Sequence, residues 1–412
     1  MARLLRKVPM SAANLGLAVL AFINLFNYLD RYVVSALVES LKHSQLSLTD
    51  ADLGFLMTGF LLVYMLAAPV FGALGDRKAR PRLIAFGVGC WSLATGASGF
   101  AGSYGALLAA RAMVGIGEAA YGTIAPSLIA DYFPAGQRGR VMALFFCAIP
   151  VGSALGYVVG GLVDAHFGWR AAFFVAGAPG LVLAVLCLFL RDPPRGARDA
   201  PSTAALDSPQ ATYRRLLHNR PYVLTVLGYA AYTFAMGGLA FWMPAFLERA
   251  RGVPRAAATV SFGEIVVITG FVGTFAGGWL GDYCAKYSQR AFLWLSAFAT
   301  LAAAPFAWVA LTTGSHSLYL ACMVAAQLLM FLSTGPINAA IVNLVAPIER
   351  ASAVALSIFA IHVLGDAVSP YLIGKLSDAA SLAQAVQVVP VAIILSGLLW
   401  FCAARSRQFA HA

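Results

Sequence analysis

The stretch Gly72-Ala-Leu-Gly-Asp76 closes a long apolar segment, and a second copy of its pattern, Gly278-Trp-Leu-Gly-Asp282, closes another segment much later in the chain. Each copy stands at the end of the second apolar segment in a set of six. A pattern that recurs at corresponding positions indicates an internal repeat. The sequence therefore predicts two related halves of six segments each.

The composition indicates a membrane protein. Of the 412 residues, 60% are hydrophobic and 11% are charged, whereas soluble domains carry roughly 25% charged residues. Most apolar runs approach the roughly 20 residues that a helix needs to cross a bilayer. We expect an all-α membrane protein with twelve transmembrane helices, which we number as spans: 12–37, 53–74, 83–100, 105–129, 139–163, a sixth that ends at 190, 221–247, 257–280, 291–311, 318–345, 351–376 and 385–404.

The net charge of +11 does not indicate a nucleic-acid-binding protein, because most Lys and Arg residues lie in short loops on one side of the spans. This is the distribution that the positive-inside rule expects of cytoplasmic loops. It predicts that both termini are cytoplasmic, and we expect a bacterial inner membrane. Arg249, Arg251 and Arg255 form an exception on the opposite side, which the sequence does not explain, and the role of Glu264 in span 8 is equally open.

The longest polar stretch lies between the two halves. It covers 191–220 and is rich in Pro, Arg, Ala, Ser and Asp, a composition typical of linkers. We predict a six-helix bundle over 1–190, a cytoplasmic linker over 191–220 and a second bundle over 221–412. The six cysteines are scattered without metal-ligand spacing, so neither a disulfide framework, a metal nor a cofactor is expected, and we expect a monomer.

Four charged residues lie inside predicted spans, namely Asp30 and Arg31 in span 1 and Arg111 and Glu118 in span 4. Such residues are costly in a bilayer and usually face a bundle interior or a water-filled cavity. Arg111 and Glu118 are two helical turns apart, about 10 Å along one face. Asp30 and Arg31 point about 100° apart. We expect Asp30 to pair with Arg111 and Glu118 to lie near Arg31.

Several motifs resemble those of the major facilitator superfamily. They are Gly72-x-x-x-Asp76-Arg77-x-x-Arg80, in which Ala79 replaces a common glycine, Arg111-x-x-x-Gly115-x-Gly117-Glu118, and the glycine row Gly152, Gly156 and Gly160. Within that superfamily the chain resembles the Spinster family of lysolipid and sphingolipid transporters. That match is carried by Asn27-Tyr28-x-Asp30-Arg31, by Gly237-Gly-Leu-Ala-Phe-Trp242-x-Pro244, and by His362-Val-Leu-Gly365-Asp366-x-x-Ser369-Pro370.

The resemblance implies the major facilitator fold, with two pseudo-symmetric six-helix bundles and a cavity lined by spans 1, 4, 7 and 10. It also implies a secondary active transporter that moves an amphipathic lipid by alternating access, a lysophospholipid or a sphingosine-phosphate-like molecule. Proton coupling is expected through Asp30, Glu118, Arg31 and Arg111. The alternative for these charges is a fixed lattice that holds spans 1 and 4 together.

Two other functions compete with lipid transport. A major facilitator fold also suits a small organic acid or a drug, and paired polar groups in both halves would favour such a substrate. An integral-membrane enzyme is not expected, because the chain has no HExxH, GxSxG or phosphate-binding loop.

The candidate substrate contacts combine cations with aromatic residues. Arginine suits an anionic head group because it binds oxygens bidentately, and aromatic residues suit an acyl chain, although they are also common in helix packing and at membrane interfaces. The candidates are Arg31, Asn27, Tyr28, Arg111, Tyr121, Tyr229, Tyr232, Phe234, Phe241 and Trp242.

Two further groups have predicted roles. Asp76, Arg77, Arg80 and Asp282 lie at the repeated loops and are candidate gating residues, because a carboxylate there can bind the N-terminus of a neighbouring helix. His362 and Asp366 are one turn apart in span 11, followed by Ser369. They form either a functional site or a hydrogen bond that only packs the helix.

Overall fold

The computed structural model describes residues 10–133, 141, 144–194, 209–288, 290–345 and 350–406, and these residues form helices joined by short turns. In chain order the helices of the first half are α1 (Met10–Ala36), α2 (Val38–Lys42), α3 (Asp50–Arg77), α4 (Arg80–Gly99), α5 (Tyr104–Tyr132), α6 (Ala148–Phe167) and α7 (Trp169–Leu188). No strand occurs in these described ranges, so the predicted all-α class is confirmed.

The second half begins within the predicted linker. Its helices are α8 (Pro209–His218), α9 (Arg220–Arg251), α10 (Arg255–Ala285), α11 (Ala291–Thr312), α12 (His316–Leu332), α13 (Thr334–Asn343), α14 (Arg350–Ile361), α15 (Ser369–Ala379), α16 (Leu382–Ala385) and α17 (Val388–Arg405). Helix α8 was not expected, and its Leu216 packs into a core cluster with Tyr222, Val226 and Ile341. The rest of the predicted linker, 195–208, lies outside the described residues.

Among the described residues, ten helical stretches are long and apolar enough to cross a membrane. They match all the predicted spans except the third and fourth, which correspond to α4 and α5. These two helices have 20 and 29 residues, enough at 1.5 Å per residue to cross a hydrocarbon core of about 30 Å. Helix α5 carries the charged residues Arg111 and Glu118 within this length.

Predicted span 11 is interrupted in the structure. Between α14 and α15 the residues His362–Asp366 form a π-helical turn, in which Gly365 has φ −115° and ψ −105°. A Cβ at Gly365 would lie 2.1 Å from Thr233 Oγ1 and 2.8 Å from the Ala230 carbonyl oxygen. Only glycine permits this approach, and π-turns of this kind are common at functional sites.

Helix α1, which carries Asp30 and Arg31, is held by the predicted glycine row of α6. A Cβ at Gly152 would lie 2.3 Å from the Leu25 carbonyl oxygen, and one at Gly156 would lie 2.6 Å from that of Leu29. Small residues at such spacing let two helix backbones approach closely. This contact fixes the position of the charged residues of α1.

The chain forms two compact units. The first comprises Met1–Leu48, Phe55–Ser202 and Pro254–Gly263, and the second comprises Thr49–Gly54, Thr203–Val253 and Glu264–Ala412. The first turn of α3 therefore belongs to the second unit, and the first turns of α10 belong to the first unit.

The two short segments, Thr49–Gly54 in the second unit and Pro254–Gly263 in the first, are each held in their unit by buried charged residues. In the second unit Asp50, which is 2% exposed at its side chain, accepts hydrogen bonds from Arg249 at 2.5 and 2.9 Å and from the Ser377 hydroxyl. The Asp378 carboxylate accepts the backbone N–H groups of Asp50 and Ala51, both at 2.8 Å. It thereby caps the N-terminus of α3.

The first unit contains a corresponding cluster. The Asp164 carboxylate lies 3.5 Å from Arg255 Nη1 and accepts a hydrogen bond from Ser40 at 2.5 Å, and Arg255 also donates to Ser40. Arg251 donates to the Ala310 carbonyl oxygen. The basic residues that the sequence left unexplained are therefore structural, since each binds a specific group of its own unit.

Candidate functional site

The charged residues of the first unit form two ion pairs. Arg31 donates to Glu118 Oε2 at 2.7 Å, and Arg111 lies 3.2 Å from Asp30 Oδ1. Asp30, Arg111 and Glu118 are 1% exposed, whereas the Arg31 side chain is 12% exposed. The structure thus contains both pairs expected from the sequence, and their roles in transport stay predictions.

Asp30 has a second partner that the sequence did not indicate. Thr95 in α4 donates its hydroxyl hydrogen to Asp30 Oδ2 at 2.6 Å. Both carboxylate oxygens of Asp30 are therefore bonded, one to Arg111 and one to Thr95. A buried carboxylate whose two oxygens are both bonded is held in place.

Arg31 is surrounded by aromatic rings. Its guanidinium carbon lies 4.9 Å from the ring centre of Tyr28, 5.1 Å from that of Phe60 and 5.6 Å from that of Tyr64. Arg111 lies 5.7 Å from the same Phe60 ring. Cations at these distances are attracted by the ring faces. Helix α3 thus contributes two site residues, Phe60 and Tyr64, that we did not predict.

Glycines in α5 let α3 and α4 approach α5 closely enough for these contacts. A Cβ at Gly115 would lie 2.5 Å from the Phe60 carbonyl oxygen of α3, and one at Gly117 would lie 2.5 Å from the Gly87 carbonyl oxygen of α4. The motif that contains Arg111 and Glu118 therefore also contains the glycines that position them.

Three buried polar atoms at this site have no hydrogen-bond partner in the described structure, namely Asn27 Nδ2, Arg31 Nε and Glu118 Oε1. Buried polar groups are normally paired, so unpaired ones require an explanation. Two donors and one acceptor next to a partly exposed guanidinium suit a polar ligand, a water molecule or a proton.

The second unit has polar groups of its own. His362 Nδ1 lies 2.8 Å from Asp366 Oδ1 across the π-turn, and Asn338 donates to the Tyr229 hydroxyl oxygen at 3.2 Å. The Ser369 hydroxyl is buried without a partner in the described structure. The His362–Ser369 motif of predicted span 11 therefore lies at an irregular turn that exposes part of the His362 and Asp366 side chains.

Four of the predicted aromatic substrate contacts are buried in this structure. The hydroxyl of Tyr121 donates to the Leu20 carbonyl oxygen, that of Tyr232 donates to the carbonyl of Met330, and Trp242 Nε1 donates to that of Pro370. These three residues and Phe241 are 4% exposed or less. The substrate roles of Tyr121, Tyr232, Phe241 and Trp242 stay predictions, as do those of Tyr229 and Phe234, which are only half-buried.

Comparison with known proteins identifies the family. The family model for the Major Facilitator Superfamily matches residues 20–370. Protein spinster homolog 1 of Mus musculus is 39% identical over 390 residues, which cover 89% of this chain and 73% of the mouse protein. The chain belongs to the Spinster family of the major facilitator superfamily.

Two further relatives agree with this assignment. Protein spinster of Drosophila melanogaster is 35% identical over 390 residues, and the match covers 90% of this chain but only 64% of the fly protein. A crystal structure of a bacterial homologue of the human lysosomal transporter Spinster has a TM-score of 0.86 at 24% identity, covering 96% of this chain and 97% of that one. This Spinster-type transporter is an integral, multi-pass membrane protein with the predicted fold.

Of the predicted gating residues in this Spinster chain, Arg80 is deeply buried. It donates to Asp131 at 2.5 Å, to Asp192 at 2.8 Å and to the Pro193 carbonyl oxygen at 2.7 Å. It thereby joins the start of α4 to the end of α5 and to the chain that follows α7. Arg77 and Asp282 are exposed, and the Asp76 side chain lies outside the described residues.

Arg80→Lys is expected to destabilise the protein by about 1.5–3 kcal/mol, because lysine cannot reproduce the forked contacts to Asp131 and Asp192 and charged hydrogen bonds are worth about this much. Thermal unfolding of the detergent-purified protein measures the effect. Arg82→Lys is the matched control, since Arg82 is exposed in the same helix. Equal unfolding temperatures for both variants would show that the Arg80 contacts do not stabilise the fold.

The site has no metal-binding character in the residues that the structure describes, where no group of three or more His, Cys, Asp or Glu side chains lies together.

Proposed function

We propose that this Spinster-family transporter moves an amphipathic lipid with an anionic head group, such as a lysophospholipid or a sphingosine-phosphate-like molecule, by proton-coupled alternating access. The observation that supports this proposal is the state of Arg31, which is the one site cation with both solvent exposure and an unbonded buried nitrogen among the described residues. A transporter needs such a cation to bind an anionic head group, because a cation whose N–H donors are all paired has none left for the substrate.

Arg31 offers the geometry that a phosphate requires. Guanidinium groups bind phosphate oxygens through two parallel N–H donors. Arg31 Nε has no hydrogen-bond partner in the described structure, whereas Nη2 donates to Glu118. A phosphate that binds Arg31 bidentately would thus compete with Glu118 for the same guanidinium. The Asn27 amide, which also has an unbonded N–H, lies one helical turn before Arg31 and adds a neutral donor.

This competition couples binding of the substrate to binding of a proton. When Glu118 is charged, it holds Arg31 at 2.7 Å. When Glu118 binds a proton, its attraction for Arg31 weakens and the guanidinium becomes available to the head group. Proton and anionic head group then bind together, and each favours the other by the same factor. Glu118 Oε1, buried without a partner in the described structure, is the atom that would accept the proton.

The roles of the two carboxylates therefore divide differently from the sequence-based expectation, which gave the proton site to Asp30. Both oxygens of Asp30 are bonded, to Arg111 and Thr95. This arrangement supports a fixed lattice between α1, α4 and α5 at Asp30 and a proton switch at Glu118.

A second candidate substrate is a small organic acid. Paired polar groups in both halves favour it, and the second unit contributes the His362–Asp366 pair and the Tyr229–Asn338 hydrogen bond. Lipid transport is preferred because the site cation in the first unit is surrounded by aromatic rings, which suit the junction between a charged head group and an apolar chain.

Flux in reconstituted liposomes tests the proposal. Uptake of a labelled lysophospholipid should be saturable, stimulated by a pH gradient and inhibited by unlabelled lysolipid but not by a short-chain carboxylic acid. Arg31→Lys should reduce uptake by about tenfold, because a lysine cannot bind phosphate bidentately and loses one to two charged hydrogen bonds. Arg82→Lys serves as the control. If no flux or binding depends on lysolipid, the lipid assignment is wrong. Inhibition by the carboxylic acid alone would favour a small organic acid as the substrate.

A further inference from the structure

The short helix α8 (Pro209–His218) has an apolar side that is only partly buried. Thr212 and Leu216, one turn apart, pack inward and are 8% and 1% exposed. Tyr213 and Leu217 directly follow them in the chain and are 38% and 61% exposed. Because residues four apart are neighbours on a helix surface, Tyr213 and Leu217 form an exposed apolar strip beside the buried face of α8.

Helix α8 is fixed within the second unit both along its length and at its end. Leu216 packs into the core cluster that contains Tyr222 of α9. Asn219, the single residue between α8 and α9, donates its side-chain amide to the Leu344 carbonyl oxygen at 3.0 Å and accepts the backbone N–H of Tyr222 at 3.2 Å. The exposed apolar strip therefore has a fixed orientation relative to the start of α9.

The position of α9 places α8 at a membrane surface. Helix α9 (Arg220–Arg251) is long and apolar enough to cross a bilayer, and only Asn219 separates it from α8. The positive-inside rule assigns this end of α9 to the cytoplasmic side. Apolar side chains at that level can enter the boundary between head groups and acyl chains, where tyrosine is favoured.

Exposed arginines accompany the apolar strip. Arg214 follows Tyr213 and precedes Leu217 by three residues, so it lies next to the strip on the helix surface. Arg220 is the first residue of α9. Both arginines are exposed, and within the described part of the chain neither takes part in an ion pair. Such side chains suit an anionic membrane surface, because their charged ends reach the head groups while their stems cover apolar surface.

We propose that α8 is a membrane anchor that binds anionic phospholipids at the cytoplasmic face of the bilayer. Tyr213 and Leu217 insert between the head groups, and Arg214 and Arg220 contact lipid phosphates. A second copy of the chain is a poorer occupant of the strip, because two side chains bury far less than the roughly 1,000 Å² that a specific protein interface needs. The anchor does not depend on which substrate the protein transports.

Site-specific photo-crosslinking of the full-length protein tests the anchor. The photoreactive residue p-benzoylphenylalanine is introduced in place of Leu217, and the protein is reconstituted in bilayers of phosphatidylglycerol and phosphatidylcholine in equal amounts with identical acyl chains. After irradiation, mass spectrometry of the α8 peptide should detect lipid adducts. Phosphatidylglycerol should be enriched about fivefold among them, the factor that one basic residue provides near an anionic surface. Arg214→Gln combined with Arg220→Gln should remove this enrichment.

Two controls accompany this measurement. His218 is exposed but points about 100° away from Leu217 around the helix axis, so the photoreactive residue in place of His218 should give several-fold fewer lipid adducts. Arg82→Gln combined with Arg405→Gln removes two exposed cations from other helices and should leave the enrichment unchanged.

Four outcomes would overturn the proposal. They are adducts to another segment of this chain or to a second copy in place of lipid, equal lipid yields at the two labelled positions, an enrichment that survives the loss of Arg214 and Arg220, and an equal loss of enrichment in the Arg82/Arg405 variant.

Hydrogen–deuterium exchange of the unmodified protein provides a second readout that needs no substitution. The backbone N–H groups of α8 should exchange about fivefold more slowly in phosphatidylglycerol nanodiscs than in phosphatidylcholine nanodiscs, since the anchored helix opens less often. Those of the short helix α16 (Leu382–Ala385) should exchange equally in both. Equal exchange of α8 in the two lipids would show that anionic lipid does not hold this helix.

Discussion

Glu118→Gln is expected to abolish the stimulation of uptake by a pH gradient, while substrate exchange at equal pH on both sides continues. Glutamine keeps the size of the side chain and an oxygen that can accept the hydrogen bond from Arg31, but it cannot bind and release a proton. With one proton per cycle, a gradient of one pH unit supports about tenfold accumulation, since each unit corresponds to about 1.4 kcal/mol. The Glu118→Gln variant should show no accumulation driven by the pH gradient.

The measurement is accumulation of labelled lysolipid in liposomes with and without an imposed pH gradient. Glu264→Gln is the matched control, because Glu264 is an exposed carboxylate of α10 with no part in the proposed site. Accumulation by Glu118→Gln at the level of the unmodified protein would show that Glu118 is not the coupling residue. Asp30→Asn in the same assay decides whether Asp30 contributes.

Arg111→Met is expected to destabilise the protein by about 3–5 kcal/mol, because it leaves the charge of Asp30 buried without a counterion. Asp30 and Arg111 are both 1% exposed at their side chains, so solvent cannot replace the lost partner. Combining Arg111→Met with Asp30→Asn should restore most of the lost stability, since the double variant contains no unpaired charge at this site.

Chemical or thermal unfolding of the four proteins in detergent forms a double-mutant cycle that isolates the energy of the pair. Thr95→Val provides a milder comparison, because it removes the hydrogen bond to Asp30 Oδ2 and leaves the ion pair. A double variant as unstable as Arg111→Met alone would show that the cost comes from lost packing. If the double variant also keeps uptake that depends on the pH gradient, the pair is a structural lattice.

The two ion pairs could be predicted from the sequence because each helix restricts where its side chains can point. Arg111 and Glu118 share one face of α5 through their spacing, and Asp30 and Arg31 diverge on α1. Once the two helices are assigned to neighbouring positions, few pairings remain. The glycines that bring the helices together were visible for the same reason, since helical spacing places them on one face.

The residues that sequence reasoning missed depend on packing between distant segments. Phe60 and Tyr64 lie on a helix that we did not place at the site, and no spacing rule connects Thr95 to Asp30. Arg249 pairs with Asp50, although six predicted spans lie between the two residues in the sequence. Aromatic side chains suit both a substrate site and a core, so the sequence could not show that Tyr121 and Trp242 are buried and donate hydrogen bonds to the carbonyl oxygens of Leu20 and Pro370.

The exchange of short segments between the two units has a consequence for biosynthesis. The first unit includes Pro254–Gly263, so it is incomplete while the ribosome is still translating the second half, and Asp164 lacks Arg255 until that segment is inserted. The second unit depends in turn on Thr49–Gly54, which is made long before. A protein split within 195–208 and produced as two polypeptides would leave each fragment short of one segment of its own unit, and neither fragment would reach its native structure until the two recombine in the same membrane.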